Sequence, residues 1–169
     1  DGLYMDFYPT TFMLSDVAAL QVLYGVNTRN VDTRDANGNA YAPNANGVIT
    51  KDGNPNDLYK WASGTKIFET IYDAGGNDTI DGSNQLQAVS INLNPGTFSN
   101  IGANIVISKD GISVAQNDYL AMSYEARDSL GNVINYIENA IGSNYNDTLT
   151  GNATHNILQG NTGDDLLQG

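Results

Sequence analysis

The sequence predicts an all-β protein, in which a β-sandwich runs into a parallel β-roll after one short N-terminal helix. Three observations predict this fold. The segment from 142 to the end of the chain repeats with a period of nine. Residues 88–93 alternate apolar and polar side chains, which is the pattern of a half-buried strand. Asn occurs 23 times and Gly 18 times in 169 residues, which is typical of a chain rich in turns and short strands.

A single helix is predicted after an irregular, aromatic segment at residues 1–12. We expect Ser15 to cap its N-terminus, and Asp16 suits the positive end of the helix dipole. Gly25 is well placed to end the helix, because a left-handed residue commonly follows the last turn. The residues that can form its apolar face are Val17, Ala18, Leu20, Leu23 and Tyr24.

Short strands separated by turns are predicted after a loop-like stretch at residues 27–57. The expected strands, in chain order, are 58–62, 66–72, 88–93, 105–108, 112–115 and 133–137. Residues 113–127 are ambiguous, and a helical turn within them stays open.

The nine-residue repeat predicts the roll. Gly recurs at 142, 151, 160 and 169, an Asp or Asn at 147, 156 and 165, and a Leu at 149, 158 and 167. Each unit reads as a six-residue turn followed by a three-residue strand whose Leu points inward. Two units complete one circuit, so each turn is expected to stack on the turn two units further along. The turn at 142–147 should therefore lie against the turn at 160–165.

This stacking predicts calcium binding. Backbone carbonyls and an Asp carboxylate from each of two stacked turns can converge on one ion, and Ca²⁺ takes six or more such oxygen ligands. Gly is expected early in each turn because the backbone there should adopt a positive φ. Asn156, which replaces an Asp, should weaken binding at its turn. The alternative is an ordinary loop region with frequent Gly and Asn.

Composition limits the partners. The formal charge is −12 with a pI near 4.1, and only seven residues are Lys or Arg, so nucleic acid and anionic membranes are not expected partners. No apolar stretch reaches membrane-spanning length, so no membrane insertion is predicted. The chain has no Cys, which excludes disulfides and thiolate metal sites. Bound calcium would offset the acidic charge, so we expect the calcium-free form to be poorly folded.

The chain is not expected to be an enzyme by itself. Its only histidine, His155, lies inside a nonapeptide. The zinc site of a metzincin protease needs three histidines and a glutamate in the pattern H-E-x-x-H-x-x-G-x-x-H. His155 is therefore read as an exposed turn residue, and an enzyme of another type remains as a third hypothesis. Because the sequence begins at Asp1 and stops on the first Gly of a repeat, we also expect it to be a fragment.

Three non-repeating segments resemble one protein family. Residues 8–25, YPTTFMLSDVAALQVLYG, closely resemble the segment that follows the Met-turn in serralysin-type zinc metalloproteases. Residues 72–81, YDAGGNDTID, and residues 137–142, IENAIG, are similar to two further signatures of that family. With the RTX-type nonapeptides, the resemblance covers nearly the whole chain in the right order. It implies the end of the protease-domain-like region at 1–28, a calcium-binding β-sandwich at 29–141 and a truncated roll at 142–169.

The resemblance also implies a set of calcium ligands, which are mostly backbone carbonyls with a few carboxylates. A first ion in the sandwich would be held by Arg29, Val31, Thr33, Asp73, Gly75 and Asp78. A second ion would be held by Gly76, Asp78, Tyr136 and Glu138. In the roll, Ser143, Tyr145 and Asp147 would face Gly160, Thr162 and Asp165.

The residues themselves agree with two of these assignments. Asp73 and Asp78 flank a Gly pair that can expose its carbonyls, although an Asp/Gly hairpin turn with a solvated face is the alternative. Glu138 is one of three glutamates in the chain and lies in an apolar setting with Ile137 and Ile141. A carboxylate in that setting needs a partner; a surface strand position is the alternative.

The resemblance implies a function for the chain as the calcium-binding C-terminal module of a secreted, extracellular metalloprotease. The expected partners are Ca²⁺, the type I secretion machinery and the catalytic domain of the parent protein, where zinc would be bound. The module would support folding of the catalytic half and would aid secretion by staying unfolded at low cytosolic calcium. The alternative is a binding or structural module of a non-protease RTX exoprotein, such as an adhesin.

Overall fold

The computed structural model describes residues 4–5, 8–25, 58–73, 75–109, 112–116 and 119–169. Within these ranges the fold is all-β with one short helix, as predicted. The elements, in chain order, are β1 (Tyr4–Met5), α1 (Leu14–Tyr24), β2 (Leu58–Lys60), β3 (Glu69–Ile71), β4 (Thr79–Asp81), β5 (Ser90–Asn92), β6 (Phe98–Ser99), β7 (Ile105–Lys109), β8 (Ile112–Gln116), β9 (Leu120–Met122), β10 (Asn139–Ile141), β11 (Thr148–Thr150), β12 (Ile157–Gln159) and β13 (Leu166–Gln168). No helix in the described ranges is long and apolar enough to cross a membrane.

Helix α1 begins slightly earlier than the sequence predicted. Its N-cap residue is Met13, whose backbone N–H donates to the Asp16 carboxylate at 3.1 Å. Ser15 therefore lies inside the helix, and its assignment as the cap is wrong because the acid at Asp16 satisfies the exposed N–H of Met13. The helix ends at Gly25 with φ 80°, which confirms the predicted stop.

The strands form four sheets, two of which are entirely parallel. One parallel sheet has the order β12-β10-β4-β2 and the other has the order β13-β11-β5. Asn139 lies opposite Ile157, and Thr148 lies opposite Leu166, so paired strands of the roll are two units apart in the chain. Two nonapeptides therefore complete one circuit, as predicted. The turn at 142–147, called the lower roll turn below, packs against the turn at 160–165, the upper roll turn.

The remaining two sheets build the other part of the fold. Strands β3, β9 and β6 form a mixed sheet, and β1, β7 and β8 form an antiparallel sheet. Strand β10 pairs with β4 on one side and with β12 on the other, so one parallel sheet includes strands from both sides of residue 141. The division of the chain at 29–141 and 142–169 stays a prediction.

The core is a stack of inward-pointing apolar residues. Ile80, Ile91, Ala140 and Leu149 have no exposed surface. Ala140 and Leu149 occupy the eighth place of successive nine-residue units, where burial of the side chain stabilises stacked turns. Leu167, at the same place near the end of the roll, is 47% exposed. The side chain at the eighth place is therefore less buried in the last repeat than in the earlier units.

The strand predicted at 133–137 is wrong. Val133 makes an isolated bridge to Arg127, and the strand lies instead at Asn139–Ile141. The cause is that residues 133–141 form a nine-residue unit of their own, in which a longer turn precedes a short strand. At 113–127, the described residues form strands and extended segments, without a helical turn.

Candidate metal centre

The two roll turns that the sequence paired are in direct contact. The backbone N–H of Asp147 donates to the Asp165 carboxylate at 2.9 Å, and the Asn161 side-chain amide donates to the Gly142 carbonyl at 2.7 Å. The Thr162 hydroxyl lies 3.3 Å from the Asn144 side-chain oxygen. The lower roll turn holds Ser143, Tyr145 and Asp147, and the upper roll turn holds Gly160, Thr162 and Asp165, so the structure brings both predicted halves together.

The Asp147 carboxylate is the best-anchored acid of the roll. Asp147 is 2% exposed, and its Oδ2 accepts the Ser143 N–H at 2.6 Å. Its Oδ1 accepts the Ser143 hydroxyl at 2.8 Å and the Val89 N–H at 2.7 Å. Three donors therefore fix a buried carboxylate in one orientation. The Val89 contact joins segments that are far apart in the chain and has no signal in the sequence.

The glycines that open each repeat leave room for the acid at the sixth place of the same repeat. A Cβ on Gly142 would overlap the Asp147 carboxylate, and a Cβ on Gly160 would overlap the Asp165 carboxylate. We predicted Gly early in each turn because of a positive φ, and at Gly142 and Gly160 that reason is wrong. Space for a carboxylate is the constraint instead.

The left-handed positions of the upper roll turn lie further along it. Asn161 has φ 70° and Gly163 has φ 134°. A Cβ on Gly163 would lie 2.6 Å from the Tyr145 carbonyl oxygen, so the two turns approach closely because this residue has no side chain. The Tyr145 side chain is 47% exposed, and its backbone N–H donates to the Ser143 hydroxyl at 3.1 Å.

A second group of predicted residues meets beside strands β4 and β10. Asp78 is fully buried, and its backbone N–H donates to Glu138 Oε2 at 2.8 Å. Asp73 is 4% exposed; its carboxylate accepts the Gly75 N–H at 2.5 Å and lies 3.3 Å from the Tyr59 hydroxyl. Three acidic residues from two distant segments thus lie near the amino ends of the neighbouring strands β4 and β10.

The Glu138 carboxyl is in an environment that disfavours its charge. Burial raises its pKa, and the nearby Asp73 charge raises it further, against the lowering effect of the Asp78 N–H. Two acids that repel each other at a partly buried site are stabilised by a cation between them. The expectation that Glu138 needs a partner in its apolar setting agrees with this geometry.

An open cavity of about 290 Å³ lies over this site. Four of the predicted ligands line it, namely Gly75, Gly76, Tyr136 and Glu138. Thr154 also lines it, although the sequence did not assign Thr154 to this site. The signal was present, because Thr154 occupies the same place as Tyr136 two units later and so stacks on it in the nine-residue frame.

Three predicted ligands, Arg29, Val31 and Thr33, lie outside the described residues. Within the described ranges, no group of three Asp, Glu or His side chains is arranged to hold a metal ion by side chains alone. A cation at either location would therefore depend on backbone carbonyls as well as carboxylates, which is the mixture that Ca²⁺ accepts.

Comparisons with known proteins agree with the two kinds of segment seen in the fold. Residues 52–121 match the family described as Peptidase M10 serralysin C terminal, and residues 136–169 match the RTX calcium-binding nonapeptide repeat (4 copies). The chain is a serralysin-type C-terminal module with RTX repeats. The repeat match begins before the unit at residue 142 and includes Tyr136 and Glu138, in agreement with the frame that the structure shows at 133–141.

Several relatives extend the serralysin assignment to most of the chain. Metalloprotease AprA of Pseudomonas entomophila is 34% identical over 150 residues, covering 87% of this chain and 24% of the relative. Serralysin of Photorhabdus laumondii is 32% identical over 146 residues, covering 86% and 24% respectively. Serralysin B of Dickeya chrysanthemi is 35% identical over 151 residues, covering 88% and 24%. The module thus spans about a quarter of the length of the curated relatives it matches.

Proposed function

We propose that this chain is the calcium-binding C-terminal module of a secreted, extracellular serralysin-like metalloprotease. It would have no catalytic activity of its own and would make the folding and stability of the parent protein depend on calcium. The observation that carries the proposal is the contact between the two roll turns, in which the Asp147 N–H donates to the Asp165 carboxylate and the Asn161 amide donates to the Gly142 carbonyl.

In the roll, the donor set fits calcium. The groups are oxygens from Ser143, Tyr145 and Asp147 on one turn and from Gly160, Thr162 and Asp165 on the other. The glycine at the first place of each turn keeps space for the carboxylate of that turn. The direct contact of the two turns supports a cation shared between them. Bound calcium would supply a positive charge that offsets two carboxylates and joins the turns. The chain's own contribution is to hold the acids and carbonyls in place before binding.

Beside the sandwich, Asp73, Gly75, Gly76, Asp78, Tyr136 and Glu138 would hold further calcium, with Arg29, Val31 and Thr33 completing the set. The support is the cavity that four of these residues line, together with the burial that raises the pKa of Glu138, to which the nearby Asp73 charge adds. Calcium at this place would tie strand β4 to strand β10, which pair in the sheet although they are far apart in the chain.

The wider role follows from the relatives and from the charge. Relatives of this module carry the names serralysin and metalloprotease, so we place a zinc-dependent endopeptidase domain and its zinc in the parent protein. The net charge of −12 would oppose a compact state when calcium is scarce. We propose that the module leaves the cell through the type I secretion machinery while unfolded and folds where calcium is abundant.

A calcium titration of the full chain tests the proposal. Circular dichroism should show a gain of β structure as calcium rises to the millimolar range, and native mass spectrometry should count the bound ions. The absence of any gain in β structure and of any bound ion at millimolar calcium would overturn the proposal.

Two neighbouring acids provide a matched pair of variants for the roll site. Asp165→Asn removes a carboxylate that accepts the Asp147 N–H. Asp164→Asn makes the same chemical change at the adjacent residue, whose side chain is exposed. We expect Asp165→Asn to raise the calcium midpoint by roughly 10- to 150-fold, because a lost charged contact is worth about 1.5–3 kcal/mol. Asp164→Asn should change the midpoint by less than about twofold. Equal effects of the two variants would remove Asp165 from the site.

A further inference from the structure

One turn of the roll is held by side-chain amides where its neighbours use carboxylates. Glu138, Asp147, Asn156 and Asp165 occupy the sixth place of successive nine-residue units. Where the sixth residue of the overlying turn is an acid, it accepts a backbone N–H from the turn beneath, as from Asp78 to Glu138 at 2.8 Å and from Asp147 to Asp165 at 2.9 Å. Asn156 does the opposite, since its side-chain Nδ2 donates to the Glu138 carbonyl at 3.0 Å.

The orientation of the Asn156 amide follows from its partners. Its Oδ1 accepts the Asn152 backbone N–H at 2.8 Å, so the other atom of the amide is the NH₂ group. That group faces the Glu138 carbonyl, which can only accept. A reversed amide would set an oxygen against a carbonyl and an NH₂ against an N–H.

Asn152 has the same arrangement. Its Oδ1 accepts the Thr154 N–H at 3.1 Å, and its Nδ2 donates to the Ile137 carbonyl at 2.8 Å and to the Leu93 carbonyl at 3.1 Å. The two side chains also join each other, from Asn156 Nδ2 to Asn152 Oδ1 at 3.1 Å. Together they form a pair of amides, called the Asn152/Asn156 clamp below, that donates to three backbone carbonyls.

The clamp donates hydrogen bonds to backbone carbonyls, and its side chains carry no charge. In the layers with an acid at the sixth place, one backbone N–H offsets only part of the negative charge of the carboxylate and carbonyls, so a cation can offset the rest. A neutral amide supplies N–H donors in the same space, so its junction needs no cation. Glu138 therefore presents its carboxylate to the turn beneath and its carbonyl to the clamp.

We propose that the Asn152/Asn156 clamp closes the junction between the turns at 133–138 and 151–156 without an ion, so that these two residues determine which layers of the roll take calcium. This inference rests on the proposed function, in which the other layers bind calcium. No ion is bound at this junction. The hydrogen bonds of the clamp stabilise it at every calcium concentration. The expectation of weaker calcium binding at the turn of Asn156 stays a prediction, because it concerns the other face of this turn, whose partner would begin at Gly169.

The test compares Asn156→Ala with Asn104→Ala, which removes an amide at an exposed position. For each full-length variant, native mass spectrometry counts the calcium ions, and calorimetry gives the Tm at saturating calcium. Asn156→Ala should bind as many ions as the unaltered chain, and its Tm should fall by roughly 6–12 °C, as expected for the loss of three hydrogen bonds of about 1 kcal/mol each. Loss of one bound ion, or a Tm equal to that of Asn104→Ala, would overturn the inference.

A second variant covers the case in which Asn156→Ala fails to fold. Asn156→Asp keeps the size of the side chain and replaces its NH₂ group with an oxygen that faces the Glu138 carbonyl. We expect either a lower Tm at the same calcium concentration or one additional bound ion that restores it. An unchanged Tm with an unchanged number of ions would show that the donor contributes nothing. If the unaltered chain binds no calcium, the proposed function fails, while the Tm comparison still decides whether the clamp contributes stability.

Discussion

Replacing Ser143 with alanine isolates the hydrogen bonds of the lower roll turn from its charge. Ser143 is fully buried, and its hydroxyl donates to the Asp147 carboxylate at 2.8 Å and accepts the Tyr145 N–H at 3.1 Å. The substitution Ser143→Ala removes one oxygen atom and leaves both the backbone carbonyl and every carboxylate in place. Any change in stability therefore comes from these two contacts.

The expected loss is roughly 2–4 kcal/mol. A hydrogen bond to a charged acceptor contributes about 1.5–3 kcal/mol, and a neutral one contributes about 0.5–1.5 kcal/mol. The Asp147 carboxylate keeps the Ser143 and Val89 N–H donors, so it is not left without partners and the loss should stay within that range. Against a total stability of about 5–15 kcal/mol, this is a large fraction.

Urea unfolding at saturating calcium measures the effect, with the number of bound ions counted in parallel. Ser129→Ala is the control, since Ser129 is exposed and the substitution removes the same atom. The ion count should be unchanged in both variants. A loss below about 0.5 kcal/mol for Ser143→Ala, which is the range of ordinary surface substitutions, would refute the view that the turn is organised by its own hydrogen bonds.

Two further predictions use other contacts. Gly163→Ala should lower stability by about 2–4 kcal/mol, because the new Cβ would lie 2.6 Å from the Tyr145 carbonyl oxygen. The control is Gly64→Ala, where φ is 72° but the space is open, so backbone strain should lower stability by only about 1 kcal/mol. Equal losses of stability in urea unfolding would argue against close approach of the turns. Asp81→Asn should lower stability by about 1 kcal/mol at pH 7, since its carboxylate pairs with Lys60 at 2.6 Å. The difference should shrink as the pH falls below 3.8, and a difference that is the same at pH 7 and pH 2 would contradict the assignment.

The direction of this pH dependence follows from the Asp81 carboxyl. Burial raises its pKa, but hydrogen bonds from Lys60 and Ser83 lower it more, so the pKa in the folded state lies below its ordinary value of 3.8. A lowered pKa in the folded state means that the paired carboxylate contributes stability above pH 3.8 and loses it as the pH falls through the folded-state pKa.

Much of the roll could be predicted because the same residue types recur at fixed places in each nine-residue unit. A Gly, an acid or amide, and a Leu at fixed places determine the turn, the facing group and the core position. The unit at 133–141 was missed because Val133, Ile134 and Ile137 resemble a strand in composition. The acid at Glu138 and the small Ala140 at the eighth place were the signal that could have revealed it.

Contacts between distant segments could not be read from sequence. The Val89 N–H that anchors Asp147 comes from a much earlier segment of the chain, and its donor is a backbone group that any residue except proline would carry. The sequence likewise did not predict that the Asn152 and Asn156 side chains donate hydrogen bonds to backbone carbonyls. Amide and carboxylate have nearly the same shape, and only the carbonyls of Leu93, Ile137 and Glu138 around them reveal that donors are required.

The spacing of the parallel strands has a consequence for the order of folding. Thr79 of β4 pairs with Asn139 of β10, whereas Asn139 pairs on its other side with Ile157 of β12, so the first pairing closes a loop more than three times as long as the second. Closing the longer loop loses about 1 kcal/mol more chain entropy than closing the shorter one, so pairs near the C-terminus form about sixfold more readily from an open chain. We therefore expect β10 to β13 to assemble first and to serve as the template on which β4 and β2 are added.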